Sequence, residues 1–340
     1  MLIKTERRNG FLKRTIVRCL LFLPAILIVM GWFVFEYTFS FDVPAPDPVL
    51  QTGRLELAQG EILILQLTHV PDGIKPKAQT ELGLAVFLSN GDGEWIAAAP
   101  VGNTRQPGKY PVKIDVGNFS WEISVAVQSF PFKTQNLIIN TSNPVISEAN
   151  SAKAYQQYRE KIPPLFDTFD ETVYWKGTFI EPTAGRISTE FGMTRYTNSD
   201  WSNPRYHWGV DIAAGKGTPV KATNDGRVVL AEYLLNTGNT VVIEHGGGLK
   251  SYYYHMDSLQ ASNGQIVQKG SVIGTVGSTG YSTGAHLHFE MRIGNQAINP
   301  TMLFNDSASL YYFELLFKFF DTSEIFATLN ILEKRFIISV

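Results

Sequence analysis

The sequence predicts a mainly β protein with an N-terminal β-sandwich domain, a connecting helix and a C-terminal antiparallel β domain. Short strand-like apolar runs, separated by turn sequences, fill residues 53–145 and again residues 179–304, and a clear helical pattern lies between them. The chain has 340 residues, of which 44% are hydrophobic and 18% are charged. It is therefore long enough, and apolar enough, for two folded domains.

The N-terminal region predicts an uncleaved membrane anchor. Residues 1–18 contain six basic side chains and one acidic one, and residues 19–35 contain no charge. We therefore expect a cytoplasmic segment over residues 1–18, a transmembrane anchor over residues 19–41 and a body outside the cytoplasm. The alternative is a cleaved signal peptide, which normally ends at a small-x-small site. No such site follows Phe35, and both interpretations export the body.

Charge and cysteine content exclude two classes of function. The chain has 29 basic and 31 acidic residues, so the part after residue 18 has a net charge of −7. Such an acidic body is a poor candidate for nucleic-acid binding. Cys19 is the only cysteine in the sequence and lies within the apolar span. The exported part therefore has no disulfide and no thiol nucleophile.

A proline-rich linker and an accessory domain follow the predicted anchor. Residues 42–52 contain three prolines and predict an extended linker. Residues 53–145 predict a small β-sandwich that serves as a spacer or recognition module. Its clearest expected strands are Glu61–Thr68, Leu82–Leu88, Tyr110–Val116 and Trp121–Val127.

Residues 146–178 predict a helical connector between the domains. We expect one helix over Ser147–Ile162, capped by Ser147 and ended by Pro163 and Pro164. At the other end of the chain, residues 305–340 contain a strongly apolar stretch that is too short to span a bilayer. We expect this tail to dock on the body, and the sequence assigns it no function.

Five of the six histidines lie within residues 179–304, and two of them form a His-x-His motif at the start of a predicted strand. Side chains two positions apart on a strand share a face, so His286 and His288 point the same way. A buried polar group without a partner costs roughly 1–3 kcal/mol. A metal ion would satisfy both imidazoles.

His207 and Asp211 form a second motif, and Gly209 between them is expected to let the backbone bend close to the ion. A catalytic zinc site usually has three protein ligands and one open position. His207, Asp211 and one histidine of the His-x-His pair meet that requirement. The other histidine and His255 remain beside the metal. The sequence has no HExxH helix, so it lacks the glutamate base of that class. An imidazole can take that role because it titrates near neutral pH.

Several other side chains near these motifs have weaker signals. His245 ends a predicted strand without such a context and is interpreted as structural. Arg195, Arg205 and Lys216 could neutralise a substrate carboxylate, although solvated surface is the simpler interpretation. The loop Tyr196–Tyr206 is expected to rim the site and to influence substrate choice.

Residues from Pro182 to about Phe304 resemble the lysostaphin-type (LytM-like) zinc endopeptidases of bacterial cell walls. The resemblance implies a LytM-like fold, also called a duplicated hybrid motif, with one zinc ion in a groove. It assigns the metal ligands to His207, Asp211 and His288, and the catalytic pair to His255 and His286. The matching stretches are Gly185–Arg195, HWGVDIAAGKGTPV (207–220), NDGRVV (224–229), GNTVVIEHGGGLKSYYYHM (238–256), VQKGSVIGTVGSTGYSTGAHLHFEMR (267–292) and INP (298–300).

Two regions match this family less closely. The β-rich region before the helix resembles more loosely a domain that precedes the peptidase in many exported members. Met256 stands where the family usually has leucine, and the tail after Phe304 lies outside the pattern.

The resemblance implies a zinc metalloendopeptidase that hydrolyses amide bonds in peptidoglycan stems or cross-bridges during cell-wall remodelling. It implies one Zn²⁺ per chain, and a catalytic domain on the periplasmic or cell-wall side of the inner membrane. The first alternative is a non-catalytic LytM-like regulator of cell-wall amidases, which the complete set of five polar residues disfavours. A second alternative, a biotinyl or lipoyl carrier, is disfavoured because no lysine occupies the hairpin tip in the required context. The bond that is cut and any protein partners stay open.

Overall fold

The computed structural model of the protein describes residues 45–89, 93–140 and 142–304. Within these ranges no helix is both long enough and apolar enough to cross a membrane. The predicted anchor over residues 19–41 and the predicted tail over residues 305–340 lie outside the described residues. The described residues from Asp47 onward belong to one compact unit.

The N-terminal region forms a sandwich of two four-stranded sheets. Its strands are β1 (Val49–Thr52), β2 (Glu56–Ala58), β3 (Ile62–Thr68), β4 (Lys77–Thr80), β5 (Leu88–Ser89), β6 (Trp95–Pro100), β7 (Gly108–Val116) and β8 (Phe119–Gln128). One sheet has the order β1-β3-β6-β5 and the other has the order β2-β8-β7-β4. The apolar side chains between the two sheets form one buried core.

Strand β3 is buried on both faces, which explains its nearly continuous apolar sequence. Leu63, Leu65 and Leu67 point into the core between the two sheets. Ile62 and Ile64 point the other way, into a larger core that they share with the C-terminal β region. Alternate side chains of one strand therefore belong to two different cores.

The strand expected over Leu82–Leu88 is wrong except for its last residue, because only Leu88–Ser89 pair with a neighbouring strand. The apolar side chains of this segment nevertheless find two separate cores. Leu82 and Phe87 pack in the sandwich core, and Leu84 and Val86 pack against the larger core. The segment has the apolar content of a buried strand, but its backbone does not join a ladder before Leu88.

The single helix expected over Ser147–Ile162 is also wrong, because the connector contains two helices. They are α1 (Pro144–Ala149), capped by Asn143, and α2 (Ala152–Lys161), capped by Ser151. The Ser151 hydroxyl accepts a hydrogen bond from the amide of Ala154 at 3.2 Å, and that cap starts a new helix. The expected end is correct, since a 3-10 helix over Pro163–Asp167 follows.

The C-terminal region contains a ten-stranded sheet and a small three-stranded sheet, followed by a short helix, α3 (Thr301–Phe304). The strands of the three-stranded sheet are β9 (Thr134–Leu137), β11 (Thr194–Thr197) and β12 (Asp200–Tyr206). The strands of the ten-stranded sheet are β10 (Arg186–Thr189), β13 (Val210–Ala213), β14 (Pro219–Lys221), β15 (Gly226–Leu234), β16 (Gly238–Gly246), β17 (Leu249–Leu259), β18 (Ile266–Val267), β19 (Val272–Val276), β20 (His286–Ile293) and β21 (Gln296–Ile298). The main path of the large sheet is β10-β13-β20-β17-β16-β15-β18.

The small sheet joins the segment after the sandwich to the region that holds the His-x-x-x-Asp motif. Strand β9 pairs in parallel with β11, and β11 forms an antiparallel hairpin with β12. The turn residues Asn198 and Ser199 both have positive φ angles, of 50° and 60°. In this register Arg195 lies opposite Gln135 on one side and opposite Arg205 on the other.

Candidate metal centre

Strand pairing places one row of side chains across the middle of the large sheet. Asp211 on β13 is directly opposite His288 on β20, which is in turn directly opposite Tyr254 on β17. His207 lies between the end of β12 and the start of β13. The sheet therefore brings His207, Asp211 and His288 together although His288 is 77 positions from Asp211.

The three side chains converge on one point. The Nε2 atom of His207 lies 2.9 Å from Oδ1 of Asp211 and 3.0 Å from Nδ1 of His288. The remaining distance, between Nδ1 of His288 and Oδ1 of Asp211, is 2.8 Å. All three residues are buried. Zinc–nitrogen bonds of about 2.0–2.1 Å in a tetrahedral site separate ligand atoms by about 3.3 Å, so this cluster needs only a small expansion to hold zinc.

The hydrogen bonds on the far side of each imidazole determine which nitrogen carries the lone pair. Nδ1 of His207 lies 2.8 Å from the carbonyl oxygen of Glu190, so this nitrogen donates. Nε2 of His288 lies 3.0 Å from a carboxylate oxygen of Glu290, so it also donates. The facing nitrogens and Oδ1 of Asp211 then point lone pairs at one another. Such a set of atoms fits a cation, because without one the lone pairs repel.

The charges of the cluster respond strongly to this arrangement. Burial opposes the charge of Asp211, but the two imidazoles beside it hold the pKa of its carboxyl well below the usual range. Burial likewise opposes a proton on His288, yet its hydrogen bonds to Asp211 and Glu290 raise its pKa to about 9. Burial lowers the pKa of His207. In the absence of a metal ion, a proton on His288 would supply the positive charge that the cluster requires.

Glu290 and Arg292 support His288 from behind, and neither residue was predicted from the sequence. Glu290 accepts from His288 with one oxygen and from Nε of Arg292 with the other, at 2.6 Å. All three side chains are buried. They lie at alternate positions of β20 and therefore share a face. In the sequence HLHFEMR, ionisable side chains stand at every second position, and this pattern is the signal that could have revealed the support.

Arg195 contacts the metal cluster directly. Its Nη2 donates to Oδ2 of Asp211, and its Nε donates to the side-chain oxygen of Gln135 at 3.2 Å. From the sequence, Arg195 was one of three basic residues able to neutralise a substrate carboxylate. In the structure it already neutralises a carboxylate of the protein.

His255 faces the cluster because of an irregularity in β17. In a regular strand Tyr254 and His255 would point to opposite faces of the sheet. His255 instead has a φ angle of +63°, and the pairing of β16 with β17 shifts register close to it. A bulge of this kind redirects a side chain, so both residues line the same cavity. The sequence offered no signal for this bulge.

His255 and His286 lie next to each other beside the cluster, with ring centroids 5.0 Å apart. Nδ1 of His255 donates to the carbonyl of Thr279 at 2.8 Å, and Nδ1 of His286 donates to the carbonyl of Gly284 at 2.8 Å. Each ring therefore has its lone pair on Nε2. Burial lowers the pKa of both imidazoles, to about 3 for His255. Both rings are neutral at pH 7 and offer Nε2 as a hydrogen-bond acceptor.

Gly209 lies where two neighbouring strands come close together. A side-chain carbon at this position would lie 2.1 Å from the carbonyl oxygen of Phe289 on β20. The glycine thus permits close packing of the start of β13 against β20.

His245 lies away from the cluster. It is fully buried, its Nδ1 donates to the carbonyl of Asp225 at 2.7 Å, and its Nε2 pairs with the hydroxyl of Ser251 at 2.8 Å. Phe179 contacts the ring edge-on at a centroid distance of 5.2 Å. This environment is that of an internal packing residue.

A cavity of about 640 Å³ opens beside the cluster, and we call it the groove. One wall is formed by α2 and the β11–β12 hairpin, and the floor includes the histidines of the cluster. The predicted loop Tyr196–Tyr206 does line this site. The polar and aromatic residues that line the groove include Tyr155, Tyr158, Arg195, Arg205, Asn236, Thr237 and Tyr281.

Comparisons with known proteins identify the class of this site. Residues 205–300, which contain all five predicted site residues, match Peptidase family M23. The DD-carboxypeptidase/endopeptidase Mpg of Neisseria meningitidis serogroup B (strain ATCC 13091 / M2091) is 43% identical over 128 residues, which cover 37% of this chain and 29% of Mpg. The murein hydrolase activator NlpD of Salmonella typhimurium is 38% identical over 120 residues, which cover 35% of this chain and 29% of NlpD.

A crystal structure of a putative peptidase M23 from Pseudomonas aeruginosa covers 72% of this chain and 93% of its own, with a TM-score of 0.54 and 22% identity. At this identity the match shows a shared fold alone. The C-terminal β region of this chain therefore contains a peptidase M23 (LytM-like) domain, and the predicted family resemblance and mainly β fold class are confirmed. The chain matches less than a third of the length of these curated relatives.

Proposed function

We propose that the protein is a zinc metalloendopeptidase that hydrolyses amide bonds in the peptide stems or cross-bridges of peptidoglycan. One observation carries the proposal. The lone pairs of His207, Asp211 and His288 converge in a buried cluster, and the two neutral imidazoles of His255 and His286 lie beside it. The similarity to Mpg, which is named as a carboxypeptidase and endopeptidase, supports the same reaction class.

His207, Asp211 and His288 would hold one zinc ion. When bound, zinc supplies Lewis acidity toward water and toward the scissile carbonyl group. Three protein ligands would leave a fourth position for water or substrate, and His286 and His255 lie beside the cluster. Arg195 balances part of the negative charge of Asp211 and keeps the second oxygen of that carboxylate occupied.

His286 is the residue that we assign as proton acceptor. Its Nε2 lies 3.8 Å from Oδ1 of Asp211, and its side chain is 19% exposed, so it lies beside the cluster and is accessible to solvent. It would take a proton from the attacking water and return it to the amine nitrogen as the C–N bond breaks. His255 is more deeply buried and would hold the water or the substrate by accepting a hydrogen bond at Nε2.

We also propose that residues 19–41 anchor the enzyme in the inner membrane, with its body on the periplasmic or cell-wall side. A tethered enzyme has a high effective concentration near an insoluble substrate. A reporter that is active only after export, fused behind Phe304, should be active. A mature N-terminus at or beyond Asp42 would show that the apolar segment is cleaved and does not anchor the protein.

A second candidate function is regulation of a cell-wall amidase without catalysis. The similarity to NlpD, which is named as a murein hydrolase activator, supports it. The complete ligand cluster and the oriented His255–His286 pair favour catalysis, because a purely binding role requires neither.

Digestion of purified peptidoglycan separates these two candidates. The full chain, loaded with zinc, should release muropeptides whose masses identify the hydrolysed amide bond, whereas the His286→Ala variant should release far fewer. If the wild-type chain releases none, but raises the activity of an added amidase, the regulator role replaces the peptidase role.

A further inference from the structure

The structure separates the three basic residues that the sequence placed near the site. Arg195 pairs with Asp211 in the metal cluster. Lys216 pairs with Asp257 at 3.0 Å, at the surface and outside the groove lining. Arg205 lines the groove, and in the described part of the chain no carboxylate oxygen lies within 4.0 Å of its guanidinium nitrogens. Of the three, Arg205 alone offers an unneutralised cation to a substrate.

The connector helix holds the guanidinium of Arg205 in place. Its Nη1 donates to the hydroxyl of Tyr155 at 2.9 Å, and that hydroxyl donates to the side-chain oxygen of Asn150 at 2.7 Å. The guanidinium carbon also lies 5.9 Å from the centre of the Tyr155 ring, within the range of a cation–π contact. These contacts use one of the five N–H groups of the guanidinium, and its planar fork keeps donors for a carboxylate.

The position of Arg205 relates it to the bond that would be cut. Arg205 is two positions before His207, and two residues of extended chain span about 6.5 Å. Arg195, directly opposite Arg205 in the hairpin, reaches Asp211 from the same face. A group held by Arg205 would therefore lie about one substrate residue from a peptide bond placed at the metal cluster.

The charges around the groove favour an anion beside Arg205. Glu290 is neutralised by Arg292, and Asp211 is neutralised by Arg195. Besides Glu290, the groove lining contains one carboxylate, that of Asp200, which accepts a hydrogen bond from the hydroxyl of Ser202. It lies five positions from Arg205 along β12, or about 16 Å of extended chain.

We propose that Arg205 binds a carboxylate on the substrate residue next to the scissile amide, and so selects anionic peptides. This inference rests on the proposed peptidase function and names the substrate class for the same groove. A free α-carboxylate at the end of a short stem, or a side-chain carboxylate of a diamino diacid within the stem, would provide the same chemistry. Bidentate geometry makes arginine better suited to this task than lysine.

Binding measurements on the full, zinc-loaded chain test the proposal. His286→Ala supplies a background in which turnover is slow compared with binding, and isothermal titration calorimetry gives the Kd of synthetic stem peptides. One pair of peptides differs by amidation of the terminal carboxylate, and a second pair differs by amidation of the side-chain carboxylate. We expect amidation of the recognised carboxylate to raise the Kd about 10–100-fold. The pair that shows this change identifies the source of the carboxylate.

The Arg205→Gln variant in the same background should bind the free and amidated peptides equally. The Arg205→Lys variant should keep a preference for the free peptide, but a weaker one than the parent with Arg205. Lys216→Gln removes one positive charge outside the groove and is the matched control, which should keep the preference for the free peptide. If Arg205→Gln still binds the free peptide as tightly as the parent, the proposal is overturned. The same holds if amidation never changes the Kd.

The two proposals can fail separately. Cleavage of every peptide by wild-type protein, with a KM that neither amidation nor Arg205→Gln alters, would retain the peptidase and reject the carboxylate site. Binding of the free peptide that depends on Arg205, without any cleavage by wild-type protein, would retain the carboxylate site and reject the peptidase.

Discussion

The imidazole of His288 and the ring of Tyr254 are parallel, with an interplanar angle of 1° and a centroid distance of 5.5 Å. The two residues lie directly opposite each other on β20 and β17. Cross-strand neighbours are close enough for their rings to contact. Together with the hydrogen bond to Glu290, this contact fixes both the plane and the rotation of the His288 ring.

Substitution of Tyr254 should separate its ring from its hydroxyl. The hydroxyl is buried and has no hydrogen-bond partner among the described residues. Tyr254→Phe keeps the ring contact and should bind zinc like wild type, with unchanged or slightly higher stability, because an unsatisfied buried polar group is costly. Tyr254→Leu loses the flat contact and should bind zinc more weakly. Competition with a chromogenic chelator measures both, and equal zinc affinity in the two variants would contradict a role for the ring.

Replacement of Glu290 by glutamine should weaken zinc binding about 10–100-fold, since second partners of metal-binding histidines contribute to this extent. The amide cannot hold Nε2–H of His288 as strongly as the carboxylate does, and it leaves Arg292 without its buried partner. The control is Glu232→Gln, which breaks a surface ion pair with Lys161. Zinc affinity in the control should equal that of wild type, and an equal affinity in Glu290→Gln would argue against the supporting role.

Alanine variants of four of the five polar residues should divide into two groups. His207→Ala and Asp211→Ala should lose zinc and activity together, because they remove ligands. His286→Ala and His255→Ala should keep close to one equivalent of zinc while turnover falls about 10²–10⁴-fold. Elemental analysis and peptidoglycan hydrolysis measure the two properties. Loss of zinc by His286→Ala, as complete as that of His207→Ala, would make His286 a ligand.

The stability of the protein should depend on pH through His245. Burial lowers the pKa of this imidazole to about 4, whereas a free histidine titrates near 6.5. Above pH 6.5 the residue is neutral in both the folded and unfolded states. As the pH falls toward 4 the unfolded state gains a proton that the folded state cannot hold, so up to about 3 kcal/mol of stability is lost.

The variant His245→Gln has no titrating group at this position. Its free energy of unfolding should therefore approach that of wild type as the pH falls from 6.5 to 4. A chelator present in both samples removes any contribution from metal. A constant difference between the two proteins over this range would show that His245 is not held neutral by the fold.

Sequence reasoning located the residues of the cluster because their motifs are local. His-x-His requires only that alternate side chains of a strand share a face, and the structure places His286 and His288 in that way. It could not find the partnership of Arg195 with Asp211, because that contact depends on the path of a hairpin. It also could not foresee that His255 turns into the groove, since this depends on a backbone bulge with positive φ.

The errors in the fold prediction have similar causes. Leu82–Leu88 has the composition of a strand, but composition does not specify whether a neighbouring strand is present to pair with it. The break between α1 and α2 follows from a local cap at Ser151, which competed with the continuing helical pattern. In both cases the apolar pattern was correct and the backbone hydrogen bonds were not determined by it.

Because β3 is buried on both faces, the N-terminal sandwich and the C-terminal β region share an interface along this strand that neither exposes to water. If the chain were cut near Phe179, the C-terminal fragment would expose to water the apolar side chains that now cover Ile62 and Ile64. Such a fragment would tend to aggregate, and heat should melt the intact protein in one cooperative step. The same constraint should act during evolution, because a substitution on either face of β3 requires a compensating substitution in the region that packs against it.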